Sequence, residues 1–187
     1  MSSLYPSHEE CLLILREEGC PPRVIKHVRI VNLVALAMAR RCQADLALVD
    51  AGSLLHDVGR SKTHGAKHVS EGVAIIRARG LPEALRRVVS RHIAAGLNEE
   101  EAANLGLPPG DYMPETLEEK LVCHADNLVY DARIVTLREA LEDLHSRGYT
   151  TTQERVGRMH SDISALCGID VDLLVEQEGL RQKVLTL

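Results

Sequence analysis

Phenylalanine and tryptophan are absent from the 187 residues, and tyrosine occurs only four times. A core here must be built from Leu, Val, Ile, Ala and Met, which favours close-packed helices over an aromatic-rich sandwich. Cysteine is sparse and odd in number: Cys11, Cys20, Cys42, Cys123 and Cys167 are widely spaced and form no C-x-x-C pair. That pattern argues against a disulfide framework or a thiolate metal site and predicts free thiols in a reducing cytosol. Long apolar runs are missing too, since the best, around Ile30 to Ala39, is broken by Asn32 and flanked by arginines. With no basic-then-apolar segment at the N-terminus, a soluble cytoplasmic protein without a membrane partner is expected. A nucleic-acid footprint would need a denser basic stripe or stacking aromatics, and neither is present.

What is present is a charge asymmetry. Residues 1–95 hold 14 Lys+Arg against 9 Asp+Glu, and residues 96–187 hold 8 against 18, so the halves carry +5 and −10 within a net charge of −5. A positive half suits an anionic small molecule such as a phosphate ester, although solvated helix faces explain the same numbers.

The segment pattern is helical throughout, with no convincing strand and no repeat. Ser7 with Glu10 forms a capping box for a first helix that ends by Gly19 and Pro21-Pro22. A second helix runs from Pro22 to about Arg41, and a third from Asp45 to Val58, stopped by Gly59. After a basic loop, Arg60 to Lys67, further helices start near Ala66 and at Pro82. The stretch from Ala95 to Glu115, with three prolines and three glycines, reads mostly as a long loop of the kind used as a lid or binding loop. Thr116/Glu119, Thr136/Glu139 and Thr151/Glu154 then cap three helices ending near Arg133, Arg147 and Cys167, and Asp170 starts a last short one. The expectation is an all-α bundle of about eight helices in one domain over residues 1–187.

The chemistry lies where polar groups interrupt apolar stripes. His56 and Asp57 end an apolar segment that begins at Leu46. Burying either alone is costly, and a metal ion, for which imidazole and carboxylate are ordinary ligands, compensates both. His27 shares a stripe with Val31, Val34 and Met38; His92 closes the row Leu85, Val88, Val89; His68 stands before Gly72, Ile75 and Ile76; Asp126 lies between Val122 and Val129. A satisfied core histidine explains any one of these, but all six together have one economical explanation. Four histidines and two carboxylates exceed the needs of one ion that keeps open positions, and suit two ions bridged by a carboxylate, with Asp57 at the centre. His8, His124, His145 and His160 fall outside the pattern and read as surface or structural.

The order His27, His56-Asp57, Asp126, with the run Leu54-Leu55-His56-Asp57-Val58-Gly59-Arg60, resembles the signature of the HD-domain phosphohydrolase superfamily across about residues 24–133, leaving 134–187 as a helical extension. His68 and His92 are similar to the extra ligands of binuclear members, including the HD-type hydrolases of diadenosine tetraphosphate. His64-Gly65, the loop Leu105 to Pro114 and the tail resemble uncharacterised archaeal HD proteins more. The resemblance implies metal-assisted hydrolysis of a nucleotide or other phosphate ester by two divalent ions. Fe, Mn, Co or Ni suit a thiolate-free ligand set, with Zn or Mg as alternatives. Arg60 replaces the lysine many members carry. Asp57, Arg60, Lys62 and His64 are the candidate catalytic residues, Arg133 a further cation, and His64 a rival to His68 as ligand. Two other uses of such a site stand beside hydrolysis: a mixed-valent di-iron oxygenase and a non-catalytic metal- or nucleotide-binding module.

Overall fold

A computed structural model describes residues 4–187. Eight helices of nine or more residues carry the fold: α1 (His8–Glu17), α2 (Pro22–Cys42), α3 (Leu46–Leu55), α4 (His68–Ala78), α5 (Glu83–Arg91), α7 (Leu117–Asn127), α8 (Leu137–Ser146) and α9 (Thr150–Cys167). Three short ones, α6 (Glu99–Asn104), α10 (Val171–Gln177) and α11 (Leu180–Lys183), bring the α-helices among the described residues to eleven. The fold is all-α, as its lack of large aromatics implied.

Local chemistry sets most boundaries. Ser7, Thr116 and Thr136 form the capping boxes read from the sequence, each side chain accepting the N3 amide while a glutamate returns to the cap amide. Thr151 does not: α9 starts one residue earlier, after Tyr149, with no side-chain cap. Asp45 caps α3 by accepting from Ala47 and Leu48 N–H, but the helix ends at Leu55, short of Val58. His56 and Asp57 then lead into a 3-10 turn, Val58–Ser61.

Gly59 does not act chiefly as a helix stop. A Cβ there would stand 1.9 Å from the His68 carbonyl oxygen and 2.4 Å from the Gly72 nitrogen, so this turn lies backbone against backbone on α4. Gly72 permits the reverse approach and also meets Val89 of α5. The helix expected to reach Arg133 ends at Asn127, and a two-stranded antiparallel hairpin follows, β1 (Val129–Tyr130) and β2 (Arg133–Ile134), with Val129 opposite Ile134 and Tyr130 opposite Arg133. Asp131, at φ 53° in its two-residue loop, carries none of the usual Asn-Gly or Asp-Gly signal, which is why the strands were not foreseen.

The central helix α2 packs on α3 and α7, and one continuous core runs from Cys11 to Val184, taking in Val31, Met38, Leu54, Leu55, Ile76, Leu121 and Leu174. Burying each large aliphatic side chain contributes about 1.5–3 kcal/mol before conformational entropy is subtracted. The segment 95–115 is a pinned cover with its own small core of Leu97, Ala102, Leu107 and Tyr112 on Val69. Arg155 holds it through the Gly96 carbonyl oxygen (2.7 Å) and Glu101 (2.8 Å), and Arg91 holds it through Asp111 and Glu115. No helix among the described residues is long and apolar enough to cross a membrane.

Candidate metal centre

Five elements bring their polar residues to one point, each at or near a helix end. His27 comes from the second turn of α2, His56 and Asp57 from the end of α3, His68 from the first residue of α4, His92 from just beyond α5 and Asp126 from the last turn of α7. Asp57 sits at the middle. Its Oδ1 lies 3.2 Å from His68 Nε2 and 3.6 Å from His92 Nε2. Its Oδ2 lies 3.9 Å from both His27 Nε2 and His56 Nε2. Asp126 Oδ1 completes the open side, 2.9 Å from His27 Nε2 and 3.4 Å from His56 Nε2.

A proton count shows what this arrangement needs. In His56, His68 and His92, Nδ1 meets the carbonyl oxygen three residues earlier, Ser53, Gly65 and Val89, at 2.7–2.8 Å. A carbonyl oxygen only accepts, so each Nδ1 carries a proton and each ring turns its Nε2 inward. Such second contacts fix the tautomer of metal-binding histidines. His68 Nε2 and His92 Nε2 face each other at 3.1 Å. Protonating one ring would relieve that contact, but burial and the neighbouring His92 pull the His68 pKa down to about 4. His56 Nε2 and Asp57 Oδ1 are buried without a hydrogen-bond partner. Apart from the Arg60 guanidinium on Asp57 Oδ2 and the His27–Asp126 hydrogen bond, the centre therefore collects acceptors, which is what a cation's ligand shell requires. Three overlapping sets have ligand atoms within 4.8 Å of one another and can hold an ion: His27/His56/Asp57, His56/His92/Asp126 and Asp57/His68/His92.

The approach is one-sided. His27 and Asp126 keep 18% and 23% of their side chains exposed, whereas His56, Asp57, His68 and His92 keep 4% or less. Burial works against a charged His27, but its hydrogen bond to Asp126 and the charges of Asp126 and Asp57 outweigh that and raise its pKa. Outside this edge lies a cavity of about 580 Å³, within the range of small-molecule sites. No residue of the 95–115 segment lines it, so the loop expected as a lid covers the His68 side instead.

Of the cations named from sequence, Arg60 lines the cavity and donates to Asp57 Oδ2 at 2.5 Å. His64, exposed on the cavity wall, stands beside Arg23 at 3.2 Å; it is not among the converging ligand atoms, whereas His68 is. Lys62 pairs with Glu18 at 3.4 Å, and Arg133 pairs with Glu139 at 2.9 Å. Neither lines the cavity, so neither is placed to neutralise a phosphate there. Arg23 and Lys26, four residues and one residue before His27, were missed, although their turn of α2 could have revealed them. Tyr130 of the hairpin completes the wall.

Residues 24–131, the span that holds all six of these side chains, match the HD domain family. The chain belongs to the HD domain family. This HD chain is 39% identical over 163 residues to an uncharacterized protein of Methanocaldococcus jannaschii, covering 84% of the chain and 91% of that protein. It is 41% identical over 167 residues to tRNA (cytidine(56)-2'-O)-methyltransferase of Picrophilus torridus, covering 89% of the chain but only 49% of that protein. The HD chain thus spans about half the length of that relative. Among solved structures, the HD domain of the L. monocytogenes phosphodiesterase PgpH in complex with cyclic-di-AMP aligns over 83% of the chain and 96% of its own, with TM-score 0.52 and 16% identity. That likeness is one of fold.

Proposed function

We propose that this HD chain is a metal-dependent phosphohydrolase acting on a nucleotide or another phosphate ester. The observation that carries the reading is the divided carboxylate of Asp57, one oxygen towards His68 and His92 and the other towards His27 and His56. In this reading His27, His56, Asp57, His68, His92 and Asp126 would hold two divalent ions. Fe, Mn, Co or Ni fits a set without thiolate. When bound, such ions acidify water to give a nucleophile near neutral pH and draw charge from phosphoryl oxygens.

The chain's own residues supply the rest. Arg60 lines the cavity, anchored by Nε on Asp57 and by Nη1 on the His64 carbonyl oxygen, and its remaining N–H groups are the phosphate clamp of this reading. Arg23 and Lys26 form no ion pair with a carboxylate among the described residues, and with His64 they offer a preformed anion site beside the centre. That second cationic patch favours a substrate with more than one phosphate, or a diester, over a simple monoester. Tyr130 offers an aromatic face for a base. The PgpH domain's named ligand, a cyclic dinucleotide, is of that class. The methyltransferase name belongs to a relative about twice as long, and hydrolysis is assigned here to the half this chain shares.

Protein purified without chelator is assayed for metal and then for release of product from nucleotides, cyclic dinucleotides and short oligonucleotides with Mn or Ni added. Expected are one to two transition-metal ions per chain and hydrolysis that stops on chelation. Full turnover by metal-free protein would overturn the reading. Oxygen uptake coupled to substrate loss would transfer it to the di-iron oxygenase, and tight nucleotide binding without product to the binding module.

A further inference from the structure

Five cysteines scattered over the sequence looked like independent free thiols, yet the fold brings two of them together. Cys42 is the last residue of α2 and Cys167 the last residue of α9, 125 positions further along, and their Sγ atoms stand 2.8 Å apart. Each helix ends there with a residue at positive φ, Gln43 at 55° and Gly168 at 67°, so both chains turn away immediately after the sulfur. Cys167 is buried, with its Sγ also 3.6 Å from the Met38 carbonyl oxygen, whereas Cys42 is partly exposed. Of the other thiols, Cys11, Cys20 and Cys123 are buried, and no close sulfur partner is recorded for any of them among the described residues.

We infer that Cys42 and Cys167 form a reversible disulfide that fixes the C-terminal helices to α2. The oxidant is a low-molecular-weight disulfide. The accessible Cys42 thiolate attacks one of its sulfurs, the small S–S bond breaks, and the first small thiolate leaves with the bonding electrons. Cys167 then loses its proton and attacks the Cys42 sulfur of the mixed disulfide, expelling the second small thiolate. Two protein thiols are oxidised, one small disulfide is reduced, and the two protons end on the two departing thiolates. The order follows from the surroundings: burial, reinforced by the Cys42 thiol, pushes the Cys167 thiol up to about 12, so it resolves the mixed disulfide and does not initiate.

The bond would tie α9, and with it the helices packed behind it, to the far end of the helix that carries His27. Closing a loop this long constrains the unfolded chain strongly while the sulfurs already sit under about 1 Å from bonding distance. This inference stands on the thiol geometry alone and is independent of the hydrolytic reading.

The metal-loaded protein is incubated with oxidised glutathione, then denatured for thiol titration, weighed by mass spectrometry and digested. Titratable thiols should fall from five to three, the mass by about 2 Da, and one cross-linked pair of peptides should contain Cys42 and Cys167. The melting temperature should rise by about 5–10 °C and return on reduction. Cys42→Ser, at a partly exposed position, should keep four thiols through the treatment, whereas Cys167→Ser should stop at a glutathione adduct on Cys42 with three thiols left, and neither should show such a rise. Five thiols after oxidation, a stable mixed disulfide on Cys42, a different cross-linked pair, or a cross-link without a thermal shift would each overturn the inference.

Discussion

Helix α7 carries histidine and aspartate to two buried clusters, and the two solve the same problem in opposite ways. On one side Asp126 joins the centre formed with His27, His56, Asp57, His68 and His92. On the other, two residues earlier, His124 meets His160 of α9, Nε2 to Nδ1 at 3.1 Å, and His160 Nε2 meets Asp170 Oδ2 at 3.3 Å. In this second cluster protons can be assigned without strain. Asp170 accepts from His160 Nε2, so His160 Nδ1 accepts from His124 Nε2, and only the lone pair on His124 Nδ1 is left bare. The carboxylates are committed to backbone: Asp170 accepts from the N–H of Asp172 and Leu173, and Asp172 from that of Leu137. In the first cluster three rings give protons to carbonyls, leaving their other nitrogens and an unpaired Asp57 oxygen turned on one another. His160, Asp170 and Asp172 also bring ligand atoms within 4.8 Å of one another, but there Asp170 is exposed and the carboxylates already accept hydrogen bonds, whereas His56 Nε2 and Asp57 Oδ1 are buried and unmet.

That contrast can be broken by mutation. Asp57→Ala is expected to lower metal-dependent hydrolysis by more than about 100-fold, beyond what loss of an outer partner of a metal ligand costs, and to strip bound metal. Elemental analysis beside a turnover assay checks both, with circular dichroism confirming unchanged helix content. His160→Ala should do the reverse. Its metal content should match the parent, while stability in urea falls by about 2–3 kcal/mol through a cavity and an unpaired His124.

Acid sharpens the difference further. Burial, and then the neighbouring His160, pull the His124 pKa down to about 3. The unfolded chain takes up that proton near pH 6.5, so stability is full above this value and is lost as pH falls from about 6.5 towards 3. Each pH unit in that window costs up to about 1.4 kcal/mol, hence about 2 kcal/mol between pH 6.5 and 5. Urea titrations at pH 7 and 5 measure it, and His124→Asn should flatten its share of the slope. The smallest effect is expected at the cavity rim. Arg23→Ala should raise KM for a substrate with two phosphates by about 3–10-fold with kcat little changed, and steady-state kinetics at two salt concentrations separates the terms.

The centre was more legible than the chain around it. His27, His56, Asp57, His68, His92 and Asp126 each close an apolar stripe, so helical periodicity alone points them at one interior. Capping boxes at Ser7, Thr116 and Thr136 likewise follow from residue type and spacing. Partners set by tertiary approach were not legible: Lys62 on Glu18, His160 under His124, and Cys42 against Cys167 depend on which helices meet, and no local pattern encodes that. Thr151 does not cap because α9 already begins at Thr150, which places Thr151 inside the first turn and the cap position two residues earlier, at Tyr149. The hairpin 129–134 was hidden inside an apolar stretch continuous with α7, where strand and helix share the same residues.

Gly59 and Gly72 give the centre a property that its side chains alone would not. With the turn after Asp57 resting directly on the main chain of α4, the separation between Asp57 and His68 is fixed by peptide groups in contact, not by rotamers free to adjust. A methyl group added at Gly59 would have to part the two backbones and carry Asp57 away from His68, so the spacing of the centre is written into the absence of a side chain.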